Sequence, residues 1–414
     1  CGQDGIGVVP ATDDEDLNTR LLGLFWRAVC SVDISRGMHL AESQRLFVSE
    51  LFRYGESLVH FPTATAYKDS PAGPAVEIVD TDRMPVAGWF QKQNNVRQCV
   101  ELDGFGRVAA YHVLKEHPRD NVFATPETVR VPVADANLVF RSDRRRPGQL
   151  RGVPWTVTVM SPVRMQEGFT NAGMDQAEMA ACFGAFWTGD PNSSPVASAS
   201  KSLFTDPDGN PLTRVEPGMF GVVNGKGQLT VTNSNLPGPN FQQAIMVMLR
   251  LVAAGLGISY ASLARDYSQA TFSATRAEVL EDRRGYRAIQ HMVWEKHTLP
   301  WWRRMVRHWA ATGQLELTAE QRARWLSDPG WLEQADAAYP GWDWVNPQQD
   351  ATAAQIELDA GVLDPFTACS VRGLHYPDVL RQRLKAEKLE LDMRAEMGLP
   401  AKSAPTPTRP TRPN

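Results

Sequence analysis

The chain has 414 residues, 43% apolar and 22% charged, with a formal net charge of −4. That is the composition of an ordinary globular protein with room for two or three domain-sized units, and the acidic balance argues against a protein that grips nucleic acid by neutralising phosphates, so any DNA contact is expected to be loose. No apolar run approaches the roughly 18–20 residues of a bilayer span, and no membrane partner is expected.

The opening CGQDGIGVVP has neither a basic start nor an apolar core, so no signal peptide is expected, and without an initiator Met the sequence is expected to begin inside a longer product. Cys1, Cys30, Cys99, Cys182 and Cys369 are scattered, with no C-x-x-C pair. They read as free thiols in a reducing cytoplasm rather than as a disulfide framework or a zinc site.

Leu17, Leu21, Leu24, Phe25 and Val29 recur at helical spacing behind an acidic start, predicting an amphipathic helix over 13–30. A second helix is predicted from His39 to Tyr54. The short runs SLVHF, AVEIVD, GRVAAYHVL, ETVRVPV and NLVF have strand length and strand composition, and Asp103–Arg107 reads as a hairpin turn. The first 140 residues thus predict a helix-flanked antiparallel sheet, closed by the basic loop Arg144-Arg145-Arg146-Pro147-Gly148.

From Ser161 to Trp187 a helix is predicted, with Met165, Phe169, Ala172, Gln176, Met179, Ala180 and Phe183 on one stripe. Residues 188–239 are rich in Gly, Pro, Ser, Asn and Asp around short strand-like pieces, a loop-rich β insertion. A returning helix carries Phe241, Ala244, Ile245, Met248, Leu249 and Val252, with Gly255 and Gly257 as its stop. After the polar stretch ISYASLARDYSQATFS, Thr275-x-x-Glu278 reads as a capping box opening a very long helix to about Ala311, kinked near Pro300. The tryptophans 294, 301, 302, 309, 325 and 331 cluster there as core or as contacts between subunits. Helices return over 352–397, and APTPTRPTRPN is expected to be disordered.

Enzyme chemistry finds little support. Gly221-Val-Val-Asn-Gly225-Lys226-Gly227 lacks phosphate-loop spacing and a following Ser or Thr, and reads as a turn. Gly104-Phe-Gly106 has no third glycine, and neither H-E-x-x-H nor G-x-S-x-G occurs. His112 and His117 read as structural or surface residues. Asp80 and Asp82 could bind a cation or, more simply, cap a turn, and Glu178, Glu281 and Asp282 read as solvated acids on helix faces. No catalytic residue, metal or cofactor is expected.

The order of elements resembles the phage portal proteins, and three motifs narrow the resemblance to the lambda-like branch. RPGQLRGVPW (Arg146–Trp155) followed by SPV is similar to the link into that family's first stem helix. LRLVAAGLGISYASLARDYSQATFSATRAEVLEDRR (Leu249–Arg284) resembles its second stem helix, tunnel loop and long helix, and WDWVNPQQDATA (Trp342–Ala353) its step into the C-terminal helices. The similarity runs from about Leu40 to Leu399. The clip matches in character more than in sequence.

The resemblance implies an α+β phage portal fold that forms rings: an α/β wing over 1–159, stem helix 160–188, loop-rich β clip 189–238, second stem helix 239–257, tunnel loop 258–272, long kinked helix and rest of the wing 273–345, α-helical crown 346–400 and a disordered tail 401–414. It implies stem packing by Phe169, Met179, Phe183, Phe241, Ile245, Met248, Leu249 and Val252, and clip docking through Leu203, Phe204, Met219, Phe220, Leu229 and Val231. Arg265, Asp266, Tyr267, Ser268, Gln269, Ala270 and Thr271 become the loop facing DNA, with Arg265 and Asp266 alternatively an ion pair between subunits. The implied role is a portal vertex in the virion, assembled in the host cytoplasm as a homo-oligomer of about twelve subunits that passes double-stranded DNA without sequence preference. Its implied partners are the terminase large subunit, a head-completion or adaptor protein, the major capsid protein and scaffold. The rival readings are another ring or adaptor of the virion, and an enzyme whose stability would depend on a nucleotide or metal.

Overall fold

The computed structural model describes residues 5–62, 73–85, 95–120, 127–140, 147–188, 219–223, 228–231, 239–268, 271–342, 347–370, 372, 374 and 376–399. In chain order the elements begin with β1 (Gly7–Pro10), α1 (Glu15–Ala28), α2 (Leu40–Tyr54), β2 (Glu56–His60), β3 (Glu77–Val79), β4 (Val96–Arg97), β5 (Val100–Leu102), β6 (Val108–Leu114), β7 (Thr128–Pro132) and β8 (Ala136–Phe140). They continue with α3 (Met160–Cys182), β9 (Phe183–Thr188), β10 (Met219–Val223), β11 (Gln228–Val231), α4 (Pro239–Leu256), α5 (Tyr260–Ala264) and α6 (Phe272–Val293). The last are α7 (Leu299–Thr312), α8 (Ala319–Ser327), α9 (Pro329–Leu332), β12 (Ala335–Ala338), α10 (Pro347–Asp359), α11 (Pro365–Ser370) and α12 (Tyr376–Glu396). The chain divides into two compact units, residues 1–152 with 287–414 and residues 153–286, and the division falls inside α6. Among the described residues no helix is long and apolar enough to cross a membrane.

The first unit is a mixed α+β body. α1 starts at Asp14, whose side chain accepts from Asp16 N–H and Leu17 N–H, and it buries Leu17, Leu21, Leu24, Phe25 and Ala28. α2 is capped by His39 with Glu42 reciprocating, and ends at Gly55 in the left-handed region at φ 77°. Two antiparallel sheets follow, in the orders β3-β2-β8 and β4-β5-β6-β7. The expected turn at 103–107 is present: Asp103 N–H donates to Arg107 O at 2.8 Å, and Gly106 takes φ 80°. A strand pair absent from the sequence expectations joins the two chain stretches of the unit, β1 antiparallel to β12 with Gly7 opposite Ala338.

The long helix is interrupted, as expected, and the geometry explains where. A wide π-turn at Trp294–Thr298 separates α6 from α7, with Leu299 N–H reaching back to Trp294 O. Pro300 has no N–H to donate, and the Lys296 carbonyl instead accepts from Asn137 Nδ2 at 3.2 Å. The tryptophans of this region pack inward. Phe25 meets Trp301 and Trp302 edge-on at 6.2 and 6.1 Å, and Trp302 meets Trp309 at 5.8 Å.

His297 is fully buried in that core, its Nε2 2.9 Å from Ser43 Oγ, and burial pushes its pKa down to about 3. The folded chain therefore holds it neutral, while the unfolded chain protonates it near pH 6.5. Its contribution is complete above pH 6.5 and is lost as pH falls towards 3. Between pH 7 and pH 5 the wild type is expected to lose about 2 kcal/mol on this account, an increment missing from His297→Gln in urea unfolding. Equal losses in both proteins would contradict the assignment.

Candidate functional site

The second unit gathers most of the residues that the sequence singles out. In it α3 and α4 pair through a narrow contact: Phe169 stacks on Phe241 with centroids 5.1 Å apart and planes at 21°, and a Cβ at Gly173 would overlap the Phe241 ring. Nearer the other end of α4, Val159, Val252 and Leu256 are buried together, with Trp155, Ile258 and Leu263 against them. Trp155 Nε1 donates to Leu256 O at 3.1 Å and Thr158 Oγ1 to Gly255 O at 2.9 Å, so two carbonyls of the last turn are satisfied by side chains. Gly257, at φ 70°, turns the chain out of the helix; Gly255 instead sits inside the helix against Val159.

Of the expected stem stripe, Phe169 meets α4 within the chain. Met165, Phe169, Ala172 and Gln176 are exposed, and the half-covered line of α3 is Pro162, Gln166, Thr170, Gly173 and Ala177. The small and polar line admits the neighbouring helix closely, which leaves Met165, Ala172 and Gln176 outside while Phe169 keeps its ring on Phe241. Ile245, Met248 and Leu249 are half-buried, while Met165 and Met174 on α3 and Val247 and Leu251 on α4 are more than half exposed. The helix expected to reach Trp187 ends at Cys182, and Phe183 opens β9. Gly184 and the aromatic run Phe183-Gly-Ala-Phe-Trp-Thr tolerate a strand there, and pairing with β10 and β11 decides the switch. The Met179 and Phe183 side chains lie outside the described residues.

β9 is the centre of a three-stranded sheet, with β10 parallel and β11 antiparallel to it. Met219 and Phe220 lie on β10, Leu229 and Val231 on β11. Leu203 and Phe204 fall outside the described residues, as do Gln269 and Ala270 of the expected loop and the C-terminal tail.

The loop itself is short and well tethered at its root. Part of ISYASLARDYSQATFS folds as α5, which ends at Arg265 in the left-handed region at φ 52°. Asp266 accepts from Tyr260 Oη at 3.2 Å and from Ser268 N–H at 3.0 Å, so it is engaged within its own chain. These hydrogen bonds, with Ser268 first, hold its carboxyl below the usual range. The Arg250 guanidinium lies 5.4 Å from the Tyr260 ring centroid. Arg265 and Tyr267 are exposed. α6 opens at Phe272, three residues before the expected Thr275, because Thr271 Oγ1 takes the Ala274 N–H and Thr271 O the Thr275 N–H.

Asp282 is a correction to the sequence reading. It is buried, not solvated, and accepts from Ser259 N–H at 2.9 Å, from Ser259 Oγ at 2.7 Å and from Ser262 Oγ. Beside it the Tyr286 phenol is pushed above its ordinary value, first by burial and then by the Asp282 charge. Glu281, next in sequence, is exposed and pairs with Arg284 at 2.8 Å.

In the first unit Asp80, Asp82 and His117 bring a ligand atom each within 4.8 Å of one another. Asp80 Oδ1 caps the turn by accepting from Asp82 N–H at 2.8 Å. His117 Nδ1 accepts the Arg119 N–H at 3.2 Å, so Nε2 carries the proton and faces the two carboxylates at 3.7 and 3.8 Å. With its lone pair on Nδ1 taken by the Arg119 N–H, the ring turns a donor and not a ligand atom towards the carboxylates. His112 is elsewhere, with Nε2 2.9 Å from Glu101.

Comparison with known proteins bears on this arrangement. Residues 2–290 match the family model described as phage portal protein, lambda family. A probable portal protein of Halomonas phage phiHAP-1 is 26% identical over 353 residues, 81% of this chain and 63% of that protein, so the chain spans less than two thirds of that relative's length. Among solved structures, a chain from the neck of an empty GTA particle aligns with TM-score 0.46 and 12% identity, over 89% of this chain and 86% of the other. A chain from the virion of a native gene transfer agent particle aligns with TM-score 0.40 and 13% identity, over 88% and 95%.

Proposed function

The chain belongs to the lambda family of phage portal proteins, a family of virion components rather than enzymes, and from that premise we propose that it is one subunit of a closed ring, of about twelve copies, through which DNA enters and leaves the capsid. The observation that carries the ring is the apolar surface left uncovered on the stem helices, with Met165 63%, Met174 62%, Val247 54% and Leu251 56% exposed in the single chain. Met165 and Met174, nine residues apart, fall on opposite sides of α3, and large apolar side chains left open on both flanks of the helix pair need partners. In a closed ring the partner is the next copy, one side of each subunit gripping the other side of its neighbour.

The loop 265–271 projects towards the DNA in this reading. Exposed Tyr267 and Arg265 offer contacts to phosphate and sugar that carry no sequence information. A chain with net charge −4 holds DNA weakly, which suits DNA that must slide. The segment 189–238 stands outside the capsid and receives the terminase large subunit during packaging and head-completion proteins afterwards, with Met219 and Phe220 of β10 and Leu229 and Val231 of β11 as its candidate docking residues. The C-terminal helices form a crown facing the capsid interior, and major capsid protein and scaffold are further partners of the subunit. ATP hydrolysis belongs to the terminase.

Oligomeric state tests the reading. Light scattering of the purified protein is expected to give a mass near a dozen times that of the 45.9 kDa chain. A chain that stays monomeric even with scaffold present would overturn it.

A further inference from the structure

We propose that Asp282 is the positioning residue of the DNA-facing loop: it fixes the loop's root through Ser259 and Ser262. The inference rests on the proposed role of that loop and names what controls it.

The chemistry is that of a buried acceptor. Asp282 is 8% exposed, and an ionised carboxylate so placed needs several donors to stay there. It finds three, and all come from the few residues that lead into the loop: Ser259 N–H, Ser259 Oγ and Ser262 Oγ. Ser259 also caps α5 by accepting from Ser262 N–H at 3.2 Å, so one serine both starts the short helix and ties it to α6. The tie spans 23 residues of sequence. It therefore holds the two arms of the loop together at their base, one arm being α5 and the other the first three turns of α6.

Beyond this root the bonding changes character. Arg265 adopts φ 52°, a conformation that L residues with a Cβ disfavour. After it, Asp266 is tied to Tyr260 Oη and to Ser268 N–H, both at the partly exposed surface.

The experiment compares wild type, Asp282→Ala, Asp282→Asn and the double variant Ser259→Ala/Ser262→Ala. Amide hydrogen exchange over residues 258–268 reads the root directly, because Ser259 N–H is one of the bonds. Exchange there is expected to rise about tenfold or more in Asp282→Ala and in the double serine variant, with an intermediate rise in Asp282→Asn, which keeps one acceptor oxygen. Exchange in the first unit should be unaltered. Unchanged protection of 258–268 in a folded Asp282→Ala protein overturns the proposal, and if that variant does not fold, unchanged protection in the serine variant does so. A second readout separates the anchor from the loop's role. Rings carrying Asp282→Ala are expected to form normally but to package or retain less DNA. If the root loosens and DNA handling is unaffected, the anchor stands and the DNA-facing assignment fails.

Discussion

Glu56→Ala is expected to destabilise the first unit by about 3–5 kcal/mol, the loss that follows when one partner of a buried ion pair is removed. Glu56 is 3% exposed and Arg151 8%, and Arg151 Nε donates to Glu56 Oε1 at 2.7 Å. The other carboxylate oxygen accepts the Gly152 N–H. Arg151 also donates to Met84 O at 2.7 Å and to Gln98 O at 3.1 Å. One guanidinium thus ties β2, the turn after β3 and the turn before β5 to the segment that leads into the second unit. Without Glu56 that charge stays in place with no counterion. Gly152 belongs to the same joint, since a Cβ there would press into the backbone of Gly55. Replacing both partners, Glu56→Leu with Arg151→Met, is expected to restore part of the loss; the carbonyls of Met84 and Gln98 would still lack their donor. By contrast Glu281→Ala, at the exposed pair with Arg284, should leave urea unfolding unchanged. If Glu56→Ala unfolds like wild type, the joint is not what holds this end of the unit.

The second large effect is functional. Deleting Tyr267–Thr271 is expected to leave ring assembly intact and to reduce packaged or retained DNA to the level of particles without a portal. The stem contacts, Phe169 on Phe241 and the cluster of Val159, Val252 and Leu256, lie outside the deletion and would still form. Thr271 takes part in opening α6, however, so the double replacement Tyr267→Ala/Gln269→Ala serves as the milder variant that keeps the cap. Packaging at wild-type level with both variants would remove the loop from the DNA path.

Much of the first unit was legible in the sequence because its elements carry strong periodicity. α1 and α2 stand within a few residues of their expected limits, and the strands around Leu58, Tyr111 and Val139 fall where alternating runs place them. The β1–β12 pair was not legible. Gly7–Pro10 and Ala335–Ala338 have little apolar alternation, and their partnership spans almost the whole chain. The end of α3 was missed because Phe183–Thr188 continues an apolar pattern whose switch from helix to strand is decided by pairing with β10 and β11.

The stem and the loop were legible by resemblance more than by pattern. A stripe such as Met165, Phe169, Ala172 and Gln176 announces burial without saying whether the cover comes from the same chain or from another copy. Asp282 was hidden for a different reason. It sits in the charged run Glu281-Asp282-Arg283-Arg284, and the donors that bury it are 20 and 23 residues away. Only the fold tells which of the two adjacent acids turns inward. The family motif around Arg151 gained its physical meaning the same way, through a partner 95 residues distant.

The most direct test of the portal assignment is negative-stain imaging of the purified protein, paired with native mass. Rings of about a dozen subunits around a central hole are the predicted result. Monomers or dimers that fail to close when scaffold and capsid protein are supplied would contradict it.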